Sequence, residues 1–119
     1  MSLPELVDFQ ATLVHSSFTI TSGTDSALID LNGCVVVGLS VPASVASTTM
    51  TMKVAYADGG TGLVLTDGIG SAAAKTWTIA ASRYIAIDPS YTVGVRFIQF
   101  IFGTTETNKT YTVHAKPVA

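Results

Sequence analysis

Apolar and polar residues alternate with period two over much of this chain. Met50, Met52, Val54 and Tyr56 alternate with Thr51, Lys53 and Ala55. A strand over 49–57 therefore turns one series of side chains to a core and the other to a more polar face. Asp58-Gly59-Gly60 ends it with residues that reach the backbone conformations of a tight turn, and Leu63-Val64-Leu65 resumes as a short strand, which predicts a hairpin. Upstream, Phe9 to Ile20 is extended, with Phe18 and Ile20 on one face. A turn is expected at Ser22-Gly23-Thr24-Asp25, then a strand at Ala27–Leu31 stopped by Asn32-Gly33. Val35 to Val41 is apolar on both faces, which predicts a central, doubly covered strand closed by Pro42.

Downstream, Ile69 to Lys75 has no period and is expected as a loop. Thr76–Ile79 is a strand with Trp77 and Ile79 on one face, and Tyr84–Ile87 is another, turned by Asp88-Pro89. In Val95–Phe102, Val95, Phe97, Gln99 and Ile101 share one face, and Arg96, Ile98, Phe100 and Phe102 the other. Thr104–Lys109 is expected as a polar loop and Tyr111–Ala115 as the last strand. Helix signals are nearly absent, and a turn former recurs roughly every ten residues. The pattern predicts an all-β fold: an antiparallel β-sandwich, jelly-roll-like, of about eight strands. Residues 1–8 precede the first good strand and are expected as an N-terminal extended arm, with 9–119 as a single domain.

Composition narrows what such a domain does. Only 12% of the 119 residues are charged while 48% are apolar, against about 25% charged in an ordinary domain. The chain can bury a core, and too few charges remain to coat its whole surface, so part of that surface is expected to meet a partner. The six basic residues, Lys53, Lys75, Arg83, Arg96, Lys109 and Lys116, are scattered. Nucleic acid and anionic membranes are held by convergent cations, so neither is an expected partner. The single cysteine, Cys34, sits in the apolar run Cys34–Val37 and reads as a small buried hydrophobe. The segment Met1–Leu6 has neither the basic nor the apolar region of a signal peptide.

The residues that carry chemistry are sparse. The two histidines, His15 and His114, lie in predicted strands near opposite ends of the chain. First and last strands often pair in a sandwich, which would bring them together, but two histidines alone do not complete a metal site. No nucleophile elbow occurs, and Asp58-Gly59-Gly60-Thr61-Gly62 lacks the lysine and helix of a phosphate loop. Asp25, Asp30, Asp58, Asp67 and Asp88 each lie in or beside a turn, where aspartate caps local backbone; a calcium site would need several to converge. Asn108-Lys109-Thr110 matches a glycosylation pattern without a secretory signal to make it meaningful. Most aromatics fall at core-facing positions; Tyr91, beside Pro89-Ser90, is expected to be the exposed one. No catalytic set, cofactor site or metal site is expected.

The order Ile29-Asp30-Leu31-Asn32-Gly33, Val36 to Pro42, Thr49 to Ala57 before Asp58-Gly59, Arg83 to Pro89, and Val95 to Phe100 resembles a group of small virion proteins of tailed phages and prophages. It is also similar to the galactose-binding-like, discoidin-type jelly roll, in which an aspartate-leucine-glycine strand precedes one ending in Asp-Gly. Here Asn32 intervenes before Gly33 and Ala57 stands in place of the usual serine, so no sugar-contacting residue carries over. The resemblance implies a capsid decoration or cement protein on the virion's capsid surface, made in the host cytoplasm, or the base of a head fibre. Its implied partners are the major capsid protein and further copies of itself, a homotrimer being favoured. The expected contacts are Leu3, Leu6 and Phe9 in the arm, and Tyr91 at a loop tip. The alternative is a carbohydrate- or receptor-binding module of a head or tail fibre.

Overall fold

A single long strand near the C-terminal end organises the chain. In the computed structural model, residues 14–57, 59, 62–66 and 73–117 are described, so the expected arm and the contact residues Leu3, Leu6 and Phe9 lie outside them. The regular structure comprises β1 (Val14–Asp25), β2 (Ile29–Asp30), β3 (Cys34–Ser40), β4 (Thr49–Ala55), β5 (Leu63–Val64), β6 (Trp77–Thr78), β7 (Tyr84–Ala86) and β8 (Phe97–Pro117), with a 3-10 turn at Pro89–Tyr91. The expected all-β antiparallel architecture is present: every strand pair is antiparallel, in one eight-stranded curled sheet.

Strand β8 is 21 residues long, against about 5–6 for a typical strand. Its first part pairs with β4, from Phe102 opposite Met50 to Phe97 opposite Ala55, and with β2 at Ile98 and Phe97. Its last part pairs with β1, Ala115 opposite Val14, and with β3, Pro117 opposite Cys34 to Thr112 opposite Ser40. Two partners on the same residues must take opposite edges, so β8 is filled on both edges at both ends. β4 carries the short strands β5 and β6, and β3 carries β7.

The core follows the predicted alternation. Met50, Met52 and Val54 of β4 bury against Ile98, Phe100 and Phe102. Tyr111 and Val113 continue the same core with Ile20, Val36 and Leu39, and Phe18 stacks between Phe100 and Tyr111 at ring separations of 5.7 and 5.3 Å. Deleting one such ring costs about 3–5 kcal/mol. β3 is buried on both faces, with Val35, Val36, Gly38 and Leu39 all enclosed, as its sequence predicts. The β4–β5 hairpin forms, with Val54 opposite Leu63, but Tyr56 departs from its expected core position and stands 67% exposed, because β4 ends one residue before it.

Two expected breaks are absent. The turn at Ser22–Asp25 is part of β1, which absorbs the irregularity as a register shift between Gly23 and Asp25, with Gly23 at φ 142°. The expected loop Thr104–Lys109 lies inside β8. Inward positions are even-numbered through Phe102 and odd-numbered from Tyr111, so the strand changes phase within this polar stretch, where Asn108 adopts φ 51°. The expected strand Ala27–Leu31 shortens to Ile29–Asp30 because the Ser26 hydroxyl accepts from the Phe100 backbone N–H at 3.0 Å while the Ser26 backbone N–H donates to the Phe100 carbonyl at 2.9 Å.

The polar stretch is held by a buried acid. Glu106 is fully enclosed and its two carboxylate oxygens accept from the backbone N–H of Ala46 at 3.0 Å and of Ser47 at 2.6 Å. The Ser47 hydroxyl in turn donates to the Thr104 carbonyl at 2.8 Å and accepts from its N–H at 3.1 Å. Burial pushes the Glu106 carboxyl up, but the hydrogen bonds from Ser47 and Ala46 and the nearby Lys109 ammonium outweigh it and hold the acid below the usual carboxylate range. By contrast the Tyr111 hydroxyl, wholly buried, has no hydrogen-bond partner among the described residues.

Glu106→Ala strands two buried N–H groups, and urea unfolding at neutral pH should show a loss of about 2–5 kcal/mol. Because the folded-state pKa is lowered, this contribution is complete above the unfolded pKa of about 4.3 and fades as pH falls through the lower folded value. The stability gap between wild type and variant should therefore narrow with acidification; a gap that does not change between neutral and strongly acid pH contradicts the assignment. Tyr111→Phe removes an unpaired polar atom without opening a cavity, and should leave stability unchanged or raise it by up to about 1 kcal/mol.

Candidate functional site

The pairing of β1 with β8 lays a ladder of polar side chains on the outer face. Thr19 and Thr110 bond through their hydroxyls at 2.8 Å, and Ser17 and Thr112 at 3.2 Å. His15 and His114, directly opposite each other as the sequence suggests, complete the ladder with Nδ1 atoms 2.6 Å apart. The second ring nitrogen of His114, Nε2, lies 2.6 Å from the Ser40 hydroxyl on β3, and the Tyr84 ring from β7 packs on His114 with centroids 5.2 Å apart. Tyr84 lies across Gly38, where a side chain would occupy the place of its hydroxyl, and donates to the Val37 carbonyl at 3.4 Å.

Ser40, His114 and His15 thus stand in the order of a nucleophile, a base and an orienting group. Sequence spacing gave no hint of Ser40 or Tyr84, because both reach His114 only through the neighbouring positions of β3, β7 and β8. The setting differs from that of a hydrolase. Ser40 sits within a strand paired on both edges, to Thr112 and to Tyr84, instead of on an exposed elbow. Backbone N–H groups engaged in a sheet do not form an oxyanion hole. Cross-strand polar pairing on an exposed face accounts for the whole ladder.

Elsewhere, Tyr91 is placed differently from its expected exposure. It is half-buried, packed edge-on to Trp77 at 5.8 Å, with the Lys75 ammonium 5.8 Å from each ring. Asp88 caps the 3-10 turn through the Ser90 N–H at 2.9 Å, and the buried Thr92 hydroxyl accepts from the Val36 N–H at 2.9 Å, so the tip is drawn against the core. Asp30 is also a local cap, accepting from the Asn32 N–H at 2.9 Å and pairing with Arg96 at 3.3 Å. The Arg96 and Asn32 hydrogen bonds hold the Asp30 carboxyl below its usual range. Among the described residues, no three His, Cys, Asp or Glu side chains gather as a ligand set.

What the surface offers instead is apolar. Tyr56, Leu63 and Val64 stand 67%, 55% and 52% exposed on the β4–β5 hairpin, a strand pair at one end of the sheet. A groove of about 360 Å³ runs between Gly33-Cys34 and Val93–Arg96. A narrower cleft of about 40 Å³ opens beside it under Val14, Ile29, Leu31, Val113 and Ala115, and Cys34 lines both.

The histidine pair makes stability depend on pH. One Nδ1 must donate and the other accept, so the ladder holds a neutral or singly protonated pair and excludes a doubly protonated one. Burial, and then the charge of His15, lower the pKa of His114 below the ordinary 6.5. The unfolded chain therefore binds more protons as pH drops below that value, and the folded state loses stability in that direction. Thermal midpoints measured from about pH 7.5 down to pH 5 should fall for wild type, and the fall should be smaller for His114→Gln. Equal slopes would show that the pair does not report on folding.

No protein-family model matches the chain. No curated protein matches it in sequence. Among solved structures, it is similar to the crystal structure of the SPBc2 prophage-derived protein YomS, with a TM-score of 0.55 over 87% of this chain and 93% of that one. The two are 14% identical over the match, so the likeness is one of fold.

Proposed function

We propose that this protein is a structural component of a phage or prophage particle, a decoration or cement protein that binds the outside of the assembled head. The observation that carries this reading is the shared fold, along nearly the whole of both chains, with a prophage-derived protein of similar extent. The surface is consistent with it. An all-β body closed around one core presents few charges and an exposed apolar hairpin, and the Ser40–His114–His15 cluster lies within a sheet. A cement protein needs a rigid shape that fits neighbouring subunits only once they are in the lattice; many modest contacts then sum across the shell. Tyr56, Leu63 and Val64 are the apolar contact this reading assigns to the major capsid protein, and a chain with no enzymatic role is part of the same proposal.

Empty capsids of the encoding phage, mixed with the purified protein and sedimented, should carry it down, whereas unassembled capsid subunits should not. The double variant Tyr56→Ser/Leu63→Ser, at positions more than half exposed, should keep the fold and weaken capsid binding at least about tenfold. Association with neither form of the capsid protein sinks the reading. Binding of the isolated protein to a glycan array would replace it with the fibre-module alternative, and labelling of Ser40 by a fluorophosphonate would replace it with a hydrolase.

A further inference from the structure

The histidine rung of the β1–β8 ladder differs from its neighbours. Ser17 with Thr112, and Thr19 with Thr110, pair hydroxyls, and each hydroxyl can both donate and accept. His15 and His114 instead aim the same ring nitrogen, Nδ1, at one point between the strands. Their rings stand nearly perpendicular, at 77° with centroids 4.7 Å apart, so the two nitrogens converge without the rings colliding. Two imidazole nitrogens that converge from facing strands are a ligand pair for a transition-metal ion.

The spacing fits such an ion with little movement. Bonds of about 2.0–2.1 Å to each nitrogen place the two nitrogens about 2.9 Å apart at a right angle, and about 3.3 Å apart in a tetrahedron. They stand 2.6 Å apart, so the pair has to open by less than about 1 Å. His15 is exposed, and rotation about its broad ring torsion supplies that opening. His114 is the held partner. Its Nε2 lies 2.6 Å from the Ser40 hydroxyl, and the Tyr84 ring packs on it with centroids 5.2 Å apart. A partner on the far nitrogen fixes the tautomer and plane of a metal-binding imidazole. With Nε2–H donating to Ser40, Nδ1 of His114 carries a free lone pair. The ion replaces the proton between the two Nδ1 atoms, and His15 then carries that proton on its own Nε2. Among the described residues, no carboxylate or thiol joins the two imidazoles. The oxygen-rich shells of Ca²⁺ and Mg²⁺ cannot form here, whereas Ni²⁺, Cu²⁺ and Zn²⁺ accept imidazole nitrogen.

We propose that His15 and His114 form a two-nitrogen chelate for a divalent ion of the nickel, copper and zinc class, with water in the remaining positions, and that the ion clips β1 to β8. The two residues lie 99 positions apart in the chain. The folded protein presents the pair ready-made, whereas the unfolded chain must close that loop to bind. The ion therefore binds the folded state in preference and stabilises it. The site is built by β1, β3, β7 and β8 alone and is independent of any capsid contact.

Untagged full-length protein, freed of metal with a chelator and titrated by calorimetry at about pH 7.5, should bind a single Ni²⁺ or Zn²⁺ ion per chain. Ser40→Ala keeps both ligands and should weaken binding about tenfold. His15→Gln, at an exposed position, should keep the circular dichroism of wild type and weaken binding by more, because it removes a ligand. The thermal midpoint of wild type should rise by about 3 °C or more in about 1 mM Ni²⁺. It should rise less for His15→Gln, and Mg²⁺ should leave it where it is. Binding that His15→Gln does not weaken, a midpoint that neither Ni²⁺ nor Zn²⁺ raises, or an equal rise in Mg²⁺ overturns the inference.

Discussion

Everything else in this structure depends on one strand being paired on both edges. β8 meets β2 and β4 at one end and β1 and β3 at the other, so the two halves of the sheet are covalently one. The partners come from far away in sequence: His15 faces His114, and Val14 faces Ala115. Closing so long a loop costs entropy before any contact offsets it. The offset comes from the side chains that β8 carries inward, Ile98, Phe100, Phe102, Tyr111 and Val113, all enclosed. Neither half of the sheet has a complete core without them. Folding is accordingly expected to be cooperative and slow for the chain length, as for other folds dominated by distant pairings.

A strand that serves two halves of a sheet must turn its inward face between them, and here the turn is made by polar residues. The phase change falls within Gly103–Thr110. A buried polar stretch is tolerated only when its groups are satisfied. Glu106 and Ser47 do this reciprocally: one side chain takes two loop N–H groups, and the other takes and gives a bond at Thr104. The approach to β4 is thereby tied to the middle of β8, just before β4 begins to pair with its first part. The acid is a positioning device for the backbone, and its geometry leaves no free face for chemistry.

The parts of the fold that were legible in sequence are those where one physical rule acts alone. Strict alternation marked Met50, Met52 and Val54 as core, and the double-sided apolar run marked β3 as central. What was not legible depends on partners. Thr104–Lys109 has the composition of a loop and becomes strand because β1 and the Ala46-Ser47 backbone take up its hydrogen bonds. Tyr91 follows a turn signal and looks exposed, yet Thr92 and Asp88 pull the tip inward and Trp77 covers the ring. Of the surface cluster, the approach of His15 to His114 followed from pairing the first and last strands; Ser40 and Tyr84 did not, since strand order within a sheet has no local signature.

The surface extends the same argument. A core closed by one shared strand ends where that strand ends, and at that place its apolar floor meets solvent beside Cys34. The outer face of the same strand pair has the opposite character, a ladder of hydroxyls and imidazoles satisfied across the strands. Polar groups already bonded to each other have little to gain from a partner, whereas exposed apolar surface gains from every contact that removes water. Such exposed apolar surface lies at the open end of the core and on the β4–β5 hairpin, where Ala55 opposite Phe97 brings Tyr56 towards the Val93–Arg96 side of the groove. The apolar exposure of this domain is thus set by where β8 begins and ends, and its polar exposure by where β1 covers it.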